Sequence, residues 1–257
     1  MKQLLVAVCV VFVVASTSAF GVYPTSMAVC GDSVSQAACS DNVLHDAPTH
    51  SWATGIASDA CSSHIERIIA AGTSCVGFNS SVSGADTGTL VAQATNAIPY
   101  GPQYVCILMG HNDVCITSAN EGFTDTAVYT QRYNDAIDAL QAGLPGVKIM
   151  VSSLIKVTRI WDVANTNFTC KLLWALNSGC NNILKGTSTT RTAALNKTIE
   201  YNNAMSSLCA TQGVYYDPDV YNIAFARTNL STADCFHPNI GFQNLIANAT
   251  YDATRFN

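Results

Sequence analysis

Charge is scarce in this chain of 257 residues: Asp, Glu, Lys and Arg together make up 11%, and 12 basic side chains face 17 acidic ones. Lys and Arg form no cluster anywhere. A sparse surface of net negative sign excludes nucleic acid and anionic membrane surfaces as expected partners. Long apolar runs are also missing past the first nineteen residues, although hydrophobic types make up 49% of the sequence. They are dispersed in short runs of strand length, which points to a buried core and not to stable insertion in a membrane. Cys-x-x-Cys, His-Glu-x-x-His and His-rich tracts are absent, and only five His occur, so no metal site is expected. No internal repeat or low-complexity linker divides the chain, whose length suits one domain.

The first nineteen residues have the make-up of a secretory signal. Lys2 supplies the positive region, Leu4 to Val14 the apolar stretch, and Ser16-Thr17-Ser18-Ala19 the small-residue cleavage region. The domain is then expected over 20–257, secreted or lumenal. Of eleven cysteines, Cys9 leaves with the signal, and the ten that remain allow up to five disulfides in an oxidising compartment. Cys170 and Cys180 close a short loop and are expected as a local pair. Cys115 is a further candidate for bridging, whereas Cys30 and Cys106 lie in apolar runs and read as buried thiols. Asn79, Asn167, Asn196, Asn229 and Asn248 each open an Asn-x-Ser/Thr sequon. Asn79 is the least expected of these to carry a glycan, because a strand should end there.

Strand-like runs alternate with helical patterns, the mark of a parallel sheet covered by helices. The runs are Met27 to Cys30, Cys75 to Phe78, Tyr104 to Met109, Val147 to Leu154 and Val214 to Tyr216. Between the third and fourth, Tyr129, Tyr133, Ile137 and Leu140 recur at helical spacing, and Gly143 and Pro145 end the segment. Leu195, Ile199, Met205 and Leu208 give a second helical face ending near Gly213, and Ile240 to Ala249 suggests a terminal helix. Ligands of such sheets lie outside the carboxyl ends of the strands. Ser33 follows the first strand, Gly84 lies in the Ser/Gly-rich loop after the second, Asn112 follows the third, and His237 comes after the fifth.

Those four positions carry complementary chemistry. A serine hydroxyl is a weak nucleophile until a base takes its proton. Of the five His, only His237 has a carboxylate, Asp234, three residues before it in a strand-end loop. Asp234 can hold one ring nitrogen while the other faces Ser33, and Asn112 can donate a hydrogen bond to an oxyanion. A glycine such as Gly84 lets a backbone N–H approach that oxyanion with no side chain in the way; Gly88 is the rival for this place. The expected catalytic residues are therefore Ser33, Asp234 and His237, with an oxyanion hole of Ser33, Gly84 and Asn112.

Gly31-Asp32-Ser33, the glycine of Asn79 to Ala85, Gly110-His111-Asn112-Asp113 and Asp234-Cys235-Phe236-His237-Pro238 resemble, in order, the blocks of the SGNH or GDSL hydrolase family. Val34 stands where that family usually has Leu. The resemblance implies a three-layer α/β/α sandwich with a five-stranded parallel, flavodoxin-like sheet. It also implies a serine esterase or lipase acting through an acyl-enzyme without metal or cofactor. Asn112 to Cys115 and Asp234 to Pro238 are most similar to the disulfide-bearing branch that includes phospholipase B-type enzymes and acyloxyacyl hydrolase. That tilts the expected substrate towards acyl-lipid or lysophospholipid esters, with a carbohydrate O-acetylester as the alternative. From another class, the reading is a glycan- or lipid-binding protein that kept the scaffold and lost turnover. The Gly-x-Ser-x-Gly elbow of α/β-hydrolases is absent. The long segment 156–190 carries Trp161 and Trp174, which are expected to line an acyl pocket or, as the alternative, to form a satellite core beneath a surface loop. A monomer is expected.

Overall fold

Tyr104-Val105-Cys106-Ile107-Leu108 has no polar side to present, and a strand of that kind needs cover on both faces. It forms β3 (Tyr104–Leu108), wholly buried at the centre of the sheet. The computed structural model describes residues 22–118, 122–176 and 179–256; the segment read as a signal, and Cys9 with it, lies outside the described residues. β1 (Ser26–Gly31), β2 (Val76–Asn79), β4 (Lys148–Ser152) and β5 (Tyr215–Asp217) complete an all-parallel sheet of order β2-β1-β3-β4-β5. All five expected runs thus become strands, within a few residues of their expected limits. Met27 pairs with Tyr104 and Gly31 with Leu108, so β1 and β3 end side by side.

Strand order dictates the layers. The step from β1 to β2 crosses the sheet in one direction and every later step in the other, and right-handed crossovers then place the connecting helices on opposite faces. α1 (His64–Ala70) covers one face with the terminal α9 (Ile240–Thr250), to which it is tied by His64 Nε2 and Thr250 Oγ1 at 2.8 Å. α2 (Leu90–Ala97), α4 (Thr126–Gly143) and α8 (Ser188–Gln212) pack side by side on the other. The short α3 (His111–Val114) leaves the end of β3. α5 (Thr158–Ala164), α6 (Phe168–Leu176) and α7 (Asn181–Leu184) fold the long segment after β4 into helices.

In α4 the expected face is the buried one: Tyr129, Tyr133, Ile137 and Leu140 point inward, and the Asp125 side chain caps the first turn through Ala127 N–H and Val128 N–H. α8 corrects the expectation. Its buried face is Ala194, Thr198, Tyr201, Met205 and Cys209. Of the expected face, Met205 is buried as expected, Leu195 and Leu208 are half-buried, and Ile199 faces out.

The cysteine pairing is also corrected. Cys170 and Cys180 are not joined; the bonds are Cys115–Cys180 and Cys170–Cys235. Cys170 and Trp174 lie one turn apart on the buried side of α6, and that side faces Cys235, whose carbonyl accepts from Trp174 Nε1 at 3.1 Å. Among the described residues Cys30, Cys39, Cys61, Cys75, Cys106 and Cys209 are free and buried, so two disulfides stand where up to five were expected.

Candidate active site

The sheet order reverses between β1 and β3, so their outgoing loops part and leave a crevice. Gly31 makes the exit from β1. A Cβ there would lie 2.5 Å from the carbonyl oxygen of Leu108, so only glycine lets the chain leave so close to β3. Asp32, fully buried, follows. Its Oδ1 accepts Val34 N–H at 2.9 Å and its Oδ2 accepts from His111 Nδ1 at 2.7 Å. His111 Nε2 in turn accepts Ile155 N–H at 3.1 Å, which puts the ring proton on Nδ1. This Asp32–His111–Ile155 chain was missed in the sequence, since its members follow three different strands whose pairing the spacing does not give.

After Ser33 the backbone makes a helical turn, with Ala38 N–H on the Ser33 carbonyl at 2.9 Å. Ala37, Cys39 and Asn42 then adopt left-handed φ of 49°, 58° and 68°, a strained run for residues other than glycine. The turn is fastened to the loop before α9 and to α9 itself. Asn42 Oδ1 accepts Thr232 N–H at 2.8 Å, the Ser40 carbonyl accepts Ile240 N–H at 3.1 Å, and Gln243 Nε2 donates to the Val34 carbonyl at 2.9 Å.

That loop carries Asp234 and His237. Asp234 Oδ1 accepts the backbone N–H groups of Phe236 and His237, its Oδ2 lies 2.5 Å from His237 Nδ1, and His237 Nε2 lies 2.9 Å from Ser33 Oγ. Burial would raise the Asp234 carboxyl. The hydrogen bonds and charge of His237, with the two backbone donors, outweigh it and hold that carboxyl below the usual range. The thiol of Cys39 lies beside this pair; burial first, and then the charge of Asp234, pushes it up to about 12. Cys39, Asp234 and His237 are the one group of three metal-competent side chains found together among the described residues.

Across the crevice, Asn112 stands in α3, at the end of β3. Its Nδ2 donates one hydrogen to the Ala85 carbonyl at 2.8 Å and keeps a second. Asp113 accepts from Thr87 N–H and Oγ1 at 3.0 and 2.7 Å, so the loop after β2 is held to the end of β3. Gly84, exposed and with φ of +78°, sits in that loop, and its N–H and that of Ser33 donate to no group among the described residues. Gly88 N–H is committed to Asp86 Oδ1 at 2.8 Å.

The cleft beside Ser33 is walled by Val34, Ile155, Val157, Ile160, Phe236 and Phe242 and encloses about 30 Å³. Neither expected tryptophan is among its walls. Trp174 is 3% exposed and belongs to the core, while Trp161 is half-buried with the Arg191 guanidinium 3.7 Å over its ring. Sequence reasoning missed the walls because they come from three separate segments.

No curated protein sequence matches the chain. Solved structures do match in fold. A protein named a GDSL-like lipase from Parabacteroides merdae is 16% identical, with 90% of this chain and 96% of that one covered at a TM-score of 0.59. An acetyl xylan esterase is 14% identical over 87% and 96%, with a TM-score of 0.55. The psychrotrophic esterase EstA from a Pseudoalteromonas species is 14% identical over 90% and 97%, with a TM-score of 0.52. The model of the GDSL-like lipase/acylhydrolase family matches residues 29–240, and the chain, a carboxylic ester hydrolase, belongs to that family.

Proposed function

We propose that Ser33, His237 and Asp234 carry out the hydrolysis as nucleophile, base and orienting carboxylate. The observation that carries this reading is the continuous chain from Asp234 Oδ2 through both ring nitrogens of His237 to Ser33 Oγ, at 2.5 and 2.9 Å. His237 Nε2 takes the hydroxyl proton as Oγ attacks the ester carbonyl. The oxyanion receives Ser33 N–H, Gly84 N–H and the second hydrogen of Asn112 Nδ2, and the collapsing intermediate releases the alcohol as His237 returns the proton to it. Water then opens the acyl-enzyme through the same groups. A serine-directed fluorophosphonate tests the assignment: the wild type is labelled and Ser33→Ala is not. Equal labelling of both would place the nucleophile elsewhere, and labelling of neither would favour the non-catalytic binder.

For the acyl group, the size of the cleft turns the preference away from lipid. Its 30 Å³, the space open to the centre of a water-sized sphere, takes a short acyl group and is small for a long chain. A short-chain ester, such as an O-acetylated carbohydrate, fits this space as it stands. One observation favours the acyl-lipid reading. Phe168, Leu172 and Leu176 form an exposed apolar stripe on α6, which the Cys170–Cys235 bond ties to the loop bearing His237. Nitrophenyl esters from acetate to palmitate separate the two: kcat/KM falling steeply beyond acetate supports the short acyl group, and a rise towards palmitate supports lipid. A secreted, monomeric protein is the setting proposed for this activity. Among the described residues no helix is long and apolar enough to cross a membrane.

A further inference from the structure

Behind the His237 ring, on the side away from Ser33, three unlike donor atoms converge. The Cys39 sulfur, an Asp234 carboxylate oxygen and a His237 ring nitrogen all lie within 4.8 Å of one another. Cys39 belongs to neither disulfide and is 6% exposed. Its position is also fixed. The left-handed backbone at Cys39 is held by its N–H on the His45 carbonyl at 2.8 Å, and Ser40 and Asn42 bind the loop of Asp234 from either side. Thiolate, imidazole and carboxylate are the donors that Zn²⁺ takes in tetrahedral protein sites, at about 2.0–2.3 Å, and the soft sulfur disfavours Mg²⁺ and Ca²⁺.

We propose that Cys39, Asp234 and His237 form a site for a soft divalent cation, Zn²⁺ or Cd²⁺, whose binding switches ester hydrolysis off. The Cys39 thiol gives its proton to water and binds as thiolate. His237 binds through Nδ1, and its single ring proton passes to Nε2. That nitrogen then has no lone pair for the proton of Ser33, so the base is converted into a donor. Water takes the fourth corner of the tetrahedron. Binding needs only the three donors; the loss of turnover rests in addition on the role proposed for His237.

The test uses the whole chain and the metals alone. Cd²⁺ is added to wild type, Ser33→Ala, His237→Gln and Cys39→Ser while the ultraviolet thiolate-to-cadmium absorption is followed. Zn²⁺ is titrated against nitrophenyl acetate hydrolysis by wild type and Cys39→Ser. The expected result is a one-equivalent band in wild type and Ser33→Ala, none in Cys39→Ser, and affinity about tenfold or more lower in His237→Gln. Zn²⁺ inhibition should be reversed by a chelator and need about tenfold or more Zn²⁺ in Cys39→Ser. No band in the wild type overturns the site, as does a band or unchanged inhibition in a folded Cys39→Ser. Should Cys39→Ser fail to fold, unchanged cadmium affinity in His237→Gln overturns it. A band in a wild type that hydrolyses no ester supports the site and removes only the catalytic reading.

Discussion

Asn112 shows how a single side chain joins structure to rate. One hydrogen of its Nδ2 anchors the loop after β2 through the Ala85 carbonyl, and the other is the one proposed for the oxyanion. Asn112→Ala is expected to lower kcat by about a hundredfold or more, a barrier increase of roughly 3 kcal/mol, with KM for nitrophenyl acetate little changed. Asp234 gives a prediction about acid. Its carboxyl is held below the usual range, so the folded state binds that proton less readily than the unfolded chain does. The stability it contributes is complete above about pH 4, where the unfolded carboxyl is ionised, and is lost as pH falls through the lower folded value. In calorimetry, the Tm gap between wild type and Asp234→Asn should be constant near neutrality and close in acid. A gap that stays open there would mean that the charge of Asp234 is not what stabilises the fold. That Ser33, Asp234 and His237 come together was legible because their peptides follow strands of one parallel sheet and His237 has a carboxylate three residues before it. Cys39 was not, because only the left-handed turn after Ser33 brings its sulfur to Asp234.

Elements were legible where one face is plainly apolar. α4 alternates buried tyrosines and aliphatics with polar residues at a period that only a helix satisfies. The 25 residues of α8 scatter their apolar side chains around the axis, so packing against α4 and the sheet chose the buried side. The disulfides were illegible for a related reason. Each joins residues 65 apart, and the partner depends on which side of α6 or α7 meets the rest of the fold. A closed loop of that length removes about 4 kcal/mol of chain entropy from the unfolded state. Replacing Cys115 and Cys180 together by Ala should therefore lower stability by about 2–5 kcal/mol in denaturant titration. A change near zero would mean that the paired segments hold together without the bond. At the exit of β1, Gly31→Ala forces a carbon against the Leu108 carbonyl and should cost activity and stability together, with a larger loss of stability than Asn112→Ala, which gives up one hydrogen bond to Ala85.

Across the whole molecule, the order of apolar runs was enough to predict a parallel sheet and to place the four motifs at one edge. The size of the cleft was not readable, since Val34, Ile155 and Phe242 meet only after the loops of β1 and β4 and the start of α9 have folded against one another. Exposure also sorts the sequons. Asn196 and Asn248 are exposed, the latter accepting from Arg67 Nη2, whereas Asn79 is half-buried, donating to the Ser35 carbonyl at 2.9 Å and accepting Ser81 N–H at 3.0 Å. Expression through a eukaryotic secretory pathway should give glycopeptides at Asn196 and Asn248 and an unmodified Asn79 peptide in mass spectrometry.

Ser33 and His237 meet across 204 residues of chain. A chain that carries every strand of the sheet but stops short of residue 232 lacks both this imidazole and the groups of Thr232, Ile240 and Gln243 that fasten the turn after Ser33. On the roles proposed for these two side chains, competence for hydrolysis therefore waits until that distant stretch has folded back onto the turn after Ser33.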